Sequence, residues 1–472
     1  MQSITLTTCK LFNLFKSLFK MKKKLSLILF LISFSGIFAQ NYYMSAPEGF
    51  GAAATGGGTP TASNTVTVSN YTDLKNALNS IAVSNSVILV SGIIDCSYTS
   101  STLNNKTIIG LPGAILRNTL ININDATESA SNSGILNIKP GSNNVIIRNL
   151  IFQGPGAFDV DGRDNLTNEG TNVWVDHCEF QDGMDGNFDN KGKADNVTIS
   201  WCKFIYLKAP TPRNVTNFTN DHRFSDLVGS SKTDIPTDGN YSITFKNCYW
   251  AEGCKERMPR ARNAELHILN CYYNTSVSGS LAIGLGGGNN NTTCYVENTN
   301  FAAIGTVYKD YISTDGGTVG VAFDGCINKA NSTTGTVSKP SYTYSTLPVA
   351  DVAGYIDNSC GAGATLLVSS TGVITANSSC GSLGVNENLL NLELKFHPTV
   401  VDTILNIEFS SIENGSAVIE IYSVNGSKVY TSSKTVTGNE KMELNIAKLA
   451  KGVYICKVQI ENRVKTFKIV KN

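Results

Sequence analysis

The segment Asn172-Val-Trp-Val-Asp-His-Cys-Glu-Phe180 is followed by Asn196-Val-Thr-Ile-Ser-Trp-Cys-Lys-Phe204, which has the same pattern of residue types. Apolar residues stand at positions two and four, and an aromatic residue closes each segment at position nine. Four more segments share this pattern and begin at Asn144, Ser242, Glu265 and Thr293. The second positions of the six segments are separated by 28, 24, 46, 23 and 28 residues. Such a period, with one short β-pattern in each repeat, is typical of a solenoid.

A parallel β-helix fits these repeats best, because polar Asn and Gly connections separate the β-patterns. Leucine-rich repeats have a compatible period, but their L-x-x-L-x-L-x-x-N pattern is not in the sequence. One coil cannot bury its inner face alone, so stacked coils must form the core. We interpret the 46-residue step as two repeats, with a hidden coil at 224–229. Leu74–Ile81 has helical spacing, and we predict that it caps the open end of the solenoid.

Cysteine is the seventh residue in four of the segments. These residues are Cys178, Cys202, Cys248 and Cys271. In stacked coils they fall on one another as a ladder, and free cysteine behaves as a small buried apolar residue. We therefore predict reduced thiols rather than disulfides. Cys360 and Cys380 lie in a Gly/Ser-rich stretch and are candidates for a disulfide bond.

The first 40 residues are predicted to be a leader and signal peptide, with the start at Met21. Met21–Lys24 is basic, Leu25–Phe38 is apolar, and cleavage is predicted around Ala39. The alternative is an uncleaved N-terminal anchor. No later segment reaches ~20 apolar residues, so we expect an exported protein without a membrane span.

The formal net charge is +1, and only 16% of the residues are charged. Such a chain has no overall field to attract nucleic acid or an anionic membrane, so we expect no nucleic-acid partner. A polyanionic partner must instead be bound by a local cluster of basic residues.

The composition changes near Gly381, and from about Leu389 short alternating strand patterns follow one another. Several short strands in about 80 residues predict a small β-sandwich. We therefore predict a β-helix domain at 41–381, a linker at 382–390 and a C-terminal β-sandwich at 391–472. The alternative for this last segment is a carbohydrate-binding sandwich, although it lacks an obvious aromatic platform.

Acidic residues gather in two groups, one repeat apart. They are Asp159, Asp161, Asp164, Asp182, Asp185 and Asp189. Carboxylates from neighbouring coils, without His or Cys, suit Ca²⁺ rather than Zn²⁺. Asp185-Gly-Asn-Phe-Asp189 begins like an EF-hand loop, but Asn196 stands where the closing Glu is required. The alternative is that these Asp-Gly runs are solvated turns.

A dense basic turn follows later in the chain. It contains Lys255, Arg257, Arg260 and Arg262. Arginine binds carboxylates in a bidentate manner, so this turn on a nearly neutral chain predicts a polyanionic partner. The alternative is an exposed loop with surface ion pairs. Asp221-His222-Arg223 and Lys208 form a weaker third group, and we interpret His177 as a structural residue at a coil corner.

Residues 46–376 resemble the pectate lyase family, polysaccharide lyase family 1. The motifs that carry the resemblance are Gly49-Phe-Gly-Ala-Ala-Ala-Thr-Gly-Gly, Asn105-Lys-Thr-Ile-Ile-Gly, Val173-Trp-Val-Asp-His, Asp185-Gly-Asn-Phe-Asp, Val197-Thr-Ile-Ser-Trp and Arg257-Met-Pro-Arg-Ala-Arg. The resemblance implies an all-β fold, a right-handed parallel β-helix, with Ca²⁺ as cofactor. It also implies a secreted carbon-oxygen lyase that cleaves α-1,4-polygalacturonate by β-elimination.

By the same resemblance, Arg257 matches the family's catalytic base and Arg262 matches a substrate-binding arginine. The family has a lysine shortly before L-x-G, where this chain has Arg223, with Lys208 as the alternative. We place Arg260 in the same predicted substrate-binding set. Arginine is a poor base at its usual pKa of ~12.5 or above, and neighbouring cations favour its neutral form.

The resemblance also implies the metal ligands. Asp185 and Asp189 match calcium ligands in the D-G-x-x-D motif. A further ligand from the preceding coil corresponds to Asp161 or Asp164, and the sequence does not distinguish between them.

From Phe396 onward the chain resembles the C-terminal sorting domain of type IX secretion cargo in Bacteroidetes-type bacteria. The matching segments are Phe396-His-Pro-Thr, Val424-Asn-Gly-Ser-Lys-Val, Leu449-Ala-Lys-Gly-Val-Tyr-Ile and Lys465-Thr-Phe-Lys-Ile-Val-Lys. This resemblance implies the type IX machinery as a partner and a secreted or cell-surface location. We expect a monomer.

Three other functions remain open on the sequence. A pectin lyase would act on methyl-esterified pectin without calcium, but this chain keeps its Asp groups and has only 3 Trp. A non-catalytic glycan-binding β-helix would not need Asp and Arg clusters on neighbouring coils. A glycoside hydrolase would need paired catalytic carboxylates, for which Asp185 and Asp189 are candidates.

Overall fold

The computed structural model describes residues 42–118, 132–158, 162–211, 221–329, 332–375, 393–397, 400–423, 427–460 and 463–472. The predicted leader, Asp159, Asp161, Cys380 and the predicted linker lie outside the described residues. The chain divides into two compact units, residues 1–382 and 383–472. No helix in the described part of the chain is long and apolar enough to cross a membrane.

The first unit is built from three parallel sheets, and successive coils contribute one strand to each. The first sheet has β1 (Thr65–Val68), β2 (Val87–Val90), β5 (Asn104–Gly110), β8 (Asn143–Arg148), β11 (Thr171–Asp176), β14 (Asp195–Ser200), β17 (Tyr241–Lys246), β20 (Ala264–Leu269), β23 (Thr292–Glu297) and β26 (Val319–Asp324). The second has β3 (Ile93–Cys96), β6 (Ile115–Asn118), β9 (Ile151–Gln153), β12 (Glu179–Gln181), β15 (Lys203–Ile205), β18 (Tyr249–Trp250), β21 (Tyr272–Asn274) and β24 (Asn300–Ala303). The third has β4 (Thr99–Ser101), β7 (Leu136–Ile138), β10 (Leu166–Asn168), β13 (Phe188–Asn190), β16 (Leu227–Val228), β19 (Arg260–Ala261), β22 (Leu281–Leu285) and β25 (Thr306–Asp310). This arrangement confirms the predicted parallel β-helix.

Each nine-residue segment spans a first-sheet strand, a corner and a second-sheet strand. The corner residue has a positive φ in all six segments; these residues are Asn149, His177, Trp201, Asn247, Asn270 and Asn298. The aromatic residues at position nine stack inside the core. Phe180 stacks on Phe152 and on Phe204 with ring centroids 5.1 and 5.2 Å apart, and Trp250 lies 4.5 Å from Tyr273. The repeat pattern therefore marks both the corner and the internal stack.

The interpretation of the 46-residue step as two repeats is wrong. Strand β14 pairs directly with β17, with Val197 opposite Ile243. Residues 224–229 contain β16, which is the third-sheet strand of the same coil. The step is long because the connections on both sides of β16 enlarge a single coil.

The predicted capping helix is present as α1 (Tyr71–Asn79). The Asn70 side chain accepts a hydrogen bond from the Asp73 backbone N–H and so caps its first turn. Leu74, Ala77 and Leu78 join the core of the first coils, where the helix contacts β1 to β4. The remaining helices are α2 (Ile312–Asp315), α3 (Val352–Ile356) and 3₁₀ turns at Phe50–Ala53, Val83–Asn85 and Val349–Asp351. A small antiparallel pair, β27 (Leu367–Val368) and β28 (Ile374–Thr375), follows.

The cysteine ladder is reduced, as predicted. Its four members, Cys178, Cys202, Cys248 and Cys271, are buried free thiols. Burial is the main reason why the pKa values of Cys202 and Cys248 lie well above the usual range for a thiol. Cys360 is disulfide-bonded, and its predicted partner Cys380 lies outside the described residues.

The second unit is a six-stranded sheet with its own hydrophobic core. Its strands are β29 (Glu393–His397), β30 (Val400–Val401), β31 (Ile404–Ser423), β32 (Lys428–Asn445), β33 (Gly452–Ile460) and β34 (Arg463–Lys471). Register shifts divide β31 near residues 409–415. Ile407 and Phe409 before the shifts and Ile419 and Ile421 after them belong to one hydrophobic core. A mixed sheet around one core agrees with the predicted small C-terminal β-domain.

Candidate active site

The outward face of the third sheet brings the acidic and basic groups together. Asn190 is paired with Val228 and Val228 with Ala261, so Asp189, Leu227 and Arg260 stand in one row across β13, β16 and β19. Val228 and Ala261 belong to the core, and alternation along a strand turns the row outward. Strands lie about 4.8 Å apart, so the row joins Asp189 to the basic turn over about 10 Å.

Two of the predicted metal ligands lie next to each other. Lys191 places its Nζ 3.4 Å from Asp164 Oδ2 and 3.9 Å from Asp189 Oδ2. Thr167 donates a hydrogen bond to Asp164 Oδ2 at 3.0 Å, and the Leu227 N–H donates to Asp189 Oδ1 at 3.1 Å. Burial raises the pKa of Asp189 well above its usual range, and the negative charge of Asp164 raises it further.

The third described candidate ligand, Asp185, contacts a histidine. Its Oδ1 lies 2.7 Å from His222 Nδ1, and its charge also contributes to the raised pKa of Asp189. Asp182 instead accepts hydrogen bonds from the backbone N–H groups of Leu207 and Lys208. We interpret Asp182 as the anchor of that turn.

The acidic group passes a simple test for a hard cation. Gly186 has no side chain between the carboxylates: a Cβ there would lie 2.6 Å from Asp164 Oδ1 and 3.4 Å from Asp189 Oδ1. The donors are oxygens only, as Ca²⁺ prefers. In the described residues no group of three or more His, Cys, Asp or Glu side chains converges as a metal site. Asp161 lies outside the described residues. The carboxylate oxygens of Asp164, Asp185 and Asp189 are the kind of ligand that Ca²⁺ prefers.

Arg257 lies at a bend on the same face. Its backbone φ is 59°, in the left-handed region, and its carbonyl accepts a hydrogen bond from the Asp226 N–H at 2.6 Å. Its guanidinium lies over the Phe224 ring, 3.8 Å from the centroid. Two tyrosines fix the bend from inside: Tyr206 donates to the Phe224 carbonyl at 2.6 Å, and Tyr273 donates to the Met258 carbonyl at 2.7 Å.

Arg260 and Arg262 share one carboxylate, that of Asp315 at the end of α2. Arg260 forms a close ion pair with Asp315, and Arg262 Nε lies 3.0 Å from Asp315 Oδ1. Arg260 also stacks on the Tyr311 ring at 3.8 Å. Burial alone would raise the pKa of Asp315, but hydrogen bonds and charges from the two arginines lower it. Burial and the charge of Arg262 lower the pKa of Arg260.

A groove of about 330 Å³ runs over these side chains. Its lining includes Phe224, Leu227, Arg257, Arg260, Arg262 and Tyr311. The structure therefore collects three of the predicted basic residues in one cleft, with Asp189 in the same row. Asp164, Asp185 and Asp189 are not among the described residues that line this groove.

The other two predicted substrate-binding residues face other partners. Arg223 holds Asp221 in a bidentate pair, with Nε 2.8 Å from Oδ1 and Nη2 2.5 Å from Oδ2. Lys208 donates to the carbonyls of Gly154 and Pro155 at 3.2 Å. Neither is among the described residues that line the groove. His177 is buried at its corner, with Nδ1 2.9 Å from Asp176 Oδ2, as a structural residue should be.

Sequence reasoning missed several residues of this face. Phe224, Tyr311 and Asp315 lie on other coils than the residues they contact, so no local spacing marks them. Lys191 comes directly after β13, where the strand period ends, so no signal in the sequence marks its contact with Asp189.

Comparisons with known proteins agree with this architecture. A family model described as pectate lyase matches residues 26–365, and one described as a secretion system C-terminal sorting domain matches residues 395–472. A pectate trisaccharide-lyase of Thermotoga sp. (strain RQ2) is 34% identical over 209 residues, 41% of this chain and 48% of that protein. A pectate lyase of Bacillus subtilis (strain 168) is 31% identical over 177 residues, 30% of this chain and 38% of that protein. The chain thus spans about half the length, or less, of these curated relatives.

A solved structure supports the fold. The pectate lyase from Paenibacillus sp. 0602 superposes with a TM-score of 0.52 at 18% identity, covering 69% of this chain and 97% of that chain. At this identity the likeness concerns the fold alone. The second unit is confirmed as the predicted type IX sorting domain, which indicates a secreted or cell-surface protein.

Proposed function

Because this chain belongs to the pectate lyase family, we propose that it cleaves α-1,4-polygalacturonate by calcium-dependent β-elimination, with Arg257 as the general base. The observation that carries the proposal is the third-sheet row in which Asp189 and Arg260 share one outward face. Arg260 also lines the groove described above, together with Arg257 and Arg262. The proposal extends to 4,5-unsaturated oligogalacturonides as the product.

The reaction requires two bond changes in one sugar unit. A base removes the C5 proton, which is α to the carboxylate, and the C4–O4 bond breaks as the C4–C5 double bond forms. The leaving O4 takes up a proton and becomes a hydroxyl group of the released chain. The carboxylate opposes the first change, because its negative charge disfavours a carbanion at the neighbouring carbon. Positive groups at that carboxylate lower the barrier.

Asp164, Asp185 and Asp189 are the described residues that would hold the calcium ion, with Asp161 as a further candidate. When bound, the ion would neutralise the substrate carboxylate and stabilise the charge that develops there. Asp189 stands in the same third-sheet row as Arg260, which lines the groove.

The basic residues supply the remaining chemistry. In the proposal, Arg262 binds a substrate carboxylate through the planar fork of its guanidinium, and Arg260 adds a second positive charge. Arg257 reaches the C5 proton from the bend at the groove floor. Arg223 and Lys208 remain candidates for contacts with outer sugar units, after release from the partners described above.

The proposal also covers the products and the partners of the chain. The Thermotoga relative is named a pectate trisaccharide-lyase, so we propose that short oligogalacturonides are among the products. The C-terminal domain is proposed to bring the chain to the type IX secretion machinery, and the enzyme is proposed to act as a monomer.

The test is a spectrophotometric assay with polygalacturonate at alkaline pH, with and without EDTA. We expect absorbance from the unsaturated product, loss of that signal in EDTA, and its return with added Ca²⁺. Arg257→Lys should fold normally and lose nearly all turnover, while Arg117→Lys, on an exposed ion pair, should not change it. Activity retained by Arg257→Lys would remove Arg257 from the role of base.

The same assay separates the alternatives. Methyl-esterified pectin cleaved in EDTA would indicate a pectin lyase. New reducing ends without absorbance would indicate a hydrolase, and a bound but intact polymer would indicate a glycan-binding protein.

A further inference from the structure

We propose that Lys191 is a built-in counter-ion of the acidic pair Asp164 and Asp189, and that it sets the affinity of this site for a divalent cation by competing with it. This inference rests on the proposed function in so far as the cation is Ca²⁺. It concerns a residue that lies beside the candidate ligands without being a ligand itself.

Three positions define the contact. Asp189 is the central residue of β13, and Lys191 comes directly after the last residue of that strand, Asn190. Asp164 belongs to the preceding coil. The ammonium group lies 3.4 Å from one carboxylate and 3.9 Å from the other. The ammonium group therefore lies next to the two carboxylate oxygens that a bound cation would contact.

Apart from Lys191, the positive charge that acts on Asp189 is that of Arg257, which makes no described ion pair with it. Both side chains are almost fully buried, with exposures of 4% for Asp164 and 5% for Asp189. Thr167 and the Leu227 N–H contribute neutral hydrogen bonds. The nearby Asp185 adds another negative charge and is itself paired with His222. Lys191 is thus the cation in direct contact with both members of the pair among the described residues.

Competition follows from electrostatics. A divalent cation that binds Asp164 and Asp189 must either displace the ammonium group or remain beside it as a like charge. Displacement loses two ion pairs, and coexistence adds repulsion at a short distance. The side chain of Lys191 is 33% exposed and has a long flexible stem, so it can swing into solvent. The competition should weaken binding of the cation without preventing it.

The experiment measures Ca²⁺ affinity directly, by isothermal titration calorimetry on the full chain. Lys191→Met should bind Ca²⁺ at least about tenfold more tightly than wild type, equivalent to about 1.4 kcal/mol. Lys193→Met is the matched control, because Lys193 is exposed and, among the described residues, its ammonium group donates to the Ile235 carbonyl, at 3.5 Å. It should leave the dissociation constant unchanged within twofold.

Thermal unfolding provides a second measurement. Without Ca²⁺, Lys191→Met should unfold at a lower temperature than wild type, because the buried carboxylates lose their counter-ion. With saturating Ca²⁺, its midpoint should rise by more than that of wild type. Lys191→Gln, which retains hydrogen-bond donors without the charge, replaces the methionine variant if the latter fails to fold in the absence of Ca²⁺.

The outcomes separate this inference from the proposed function. Equal or weaker Ca²⁺ binding by the Lys191 variants, with clear binding by wild type, would overturn the role of Lys191 and leave the calcium proposal intact. Absence of binding in wild type and in the variants would overturn both. Tighter binding by the variants with no change in Lys193→Met would support the role of Lys191.

Discussion

The guanidinium of Arg257 lies face-on to the ring of Phe224, 3.8 Å from its centroid. The two residues come from adjacent coils, and a β-bridge between Phe224 and Glu256 holds the two backbones together. A cation over an aromatic face gains about 0.5–2 kcal/mol. The contact therefore holds the long side chain of Arg257 in one orientation, whereas a free arginine would sample many rotamers.

We predict that Phe224→Ala lowers kcat by about tenfold or more, because Arg257, the proposed base, would rotate freely and lose its alignment with the C5 proton. Phe224→Tyr keeps the aromatic face and should retain most of the activity. Steady-state kinetics on polygalacturonate would measure kcat and KM for both variants, with circular dichroism as the folding control. Equal kcat values for the alanine variant and wild type would show that the ring does not position Arg257.

We predict that Asp315→Asn destabilises the fold by about 3 kcal/mol, because Arg260 would remain buried without its charged partner. Asp95→Asn is the matched control: it breaks the exposed pair with Arg117 and should cost less than about 1 kcal/mol. Denaturant unfolding, with the first unit followed by tryptophan fluorescence, would give both values. Similar losses in the two variants would argue against a structural role for the buried pair.

We predict that Asp226→Asn stabilises the protein at neutral pH. Asp226 is fully buried and accepts a hydrogen bond from Trp250 Nε1 at 2.9 Å, while its Oδ1 has no partner among the described residues. Burial raises its pKa well above the usual range. The pKa of an aspartate in the unfolded chain is about 4. Above that pH the free energy of unfolding of the wild type therefore falls by about 1.4 kcal/mol per pH unit, until the pH reaches the pKa of Asp226 in the folded protein. An amide removes that loss.

Melting temperatures from pH 4 to 8 would test the sign of this effect. The advantage of Asp226→Asn should be small near pH 4 and grow as the pH rises. Asp176→Asn should behave oppositely. Burial alone would raise the pKa of Asp176, but the charges of His177 and Arg148 lower it. Its contribution to stability is present above the unfolded pKa and is lost as the pH falls through the folded pKa. A constant advantage of Asp226→Asn at every pH would contradict the prediction.

We predict that the ladder thiols are unreactive in the native protein. Cys178, Cys202, Cys248 and Cys271 are fully buried, so neither the reagent nor a thiolate is available at the surface. Titration with a disulfide reagent should detect these four thiols only after denaturation. If they remain undetected in denaturant without reductant, the ladder is oxidised and the prediction of free thiols is wrong.

The solenoid was predictable because its periodicity is local. In-register stacking requires each coil to repeat the same inward positions, and these appear in the sequence as the apolar second and fourth residues and the aromatic ninth residue. The prediction of two repeats in the 46-residue step is wrong because only inward positions repeat. Connections on the outside of a coil do not enter the stack, so their length carries no periodic signal and one enlarged coil looks like two.

The sequence by itself determined the β-helix, the sorting domain and the two clusters of opposite charge, because each depends on residues that are neighbours in the chain. Only the tertiary structure decided which groups meet across coils: Phe224 with Arg257, Asp315 with Arg260 and Arg262, and Lys191 with Asp164. Coil stacking brings together residues that are 27 to 55 positions apart. Strand register and burial decide which of these residues meet, and the spacing of residues along the sequence does not reveal either one.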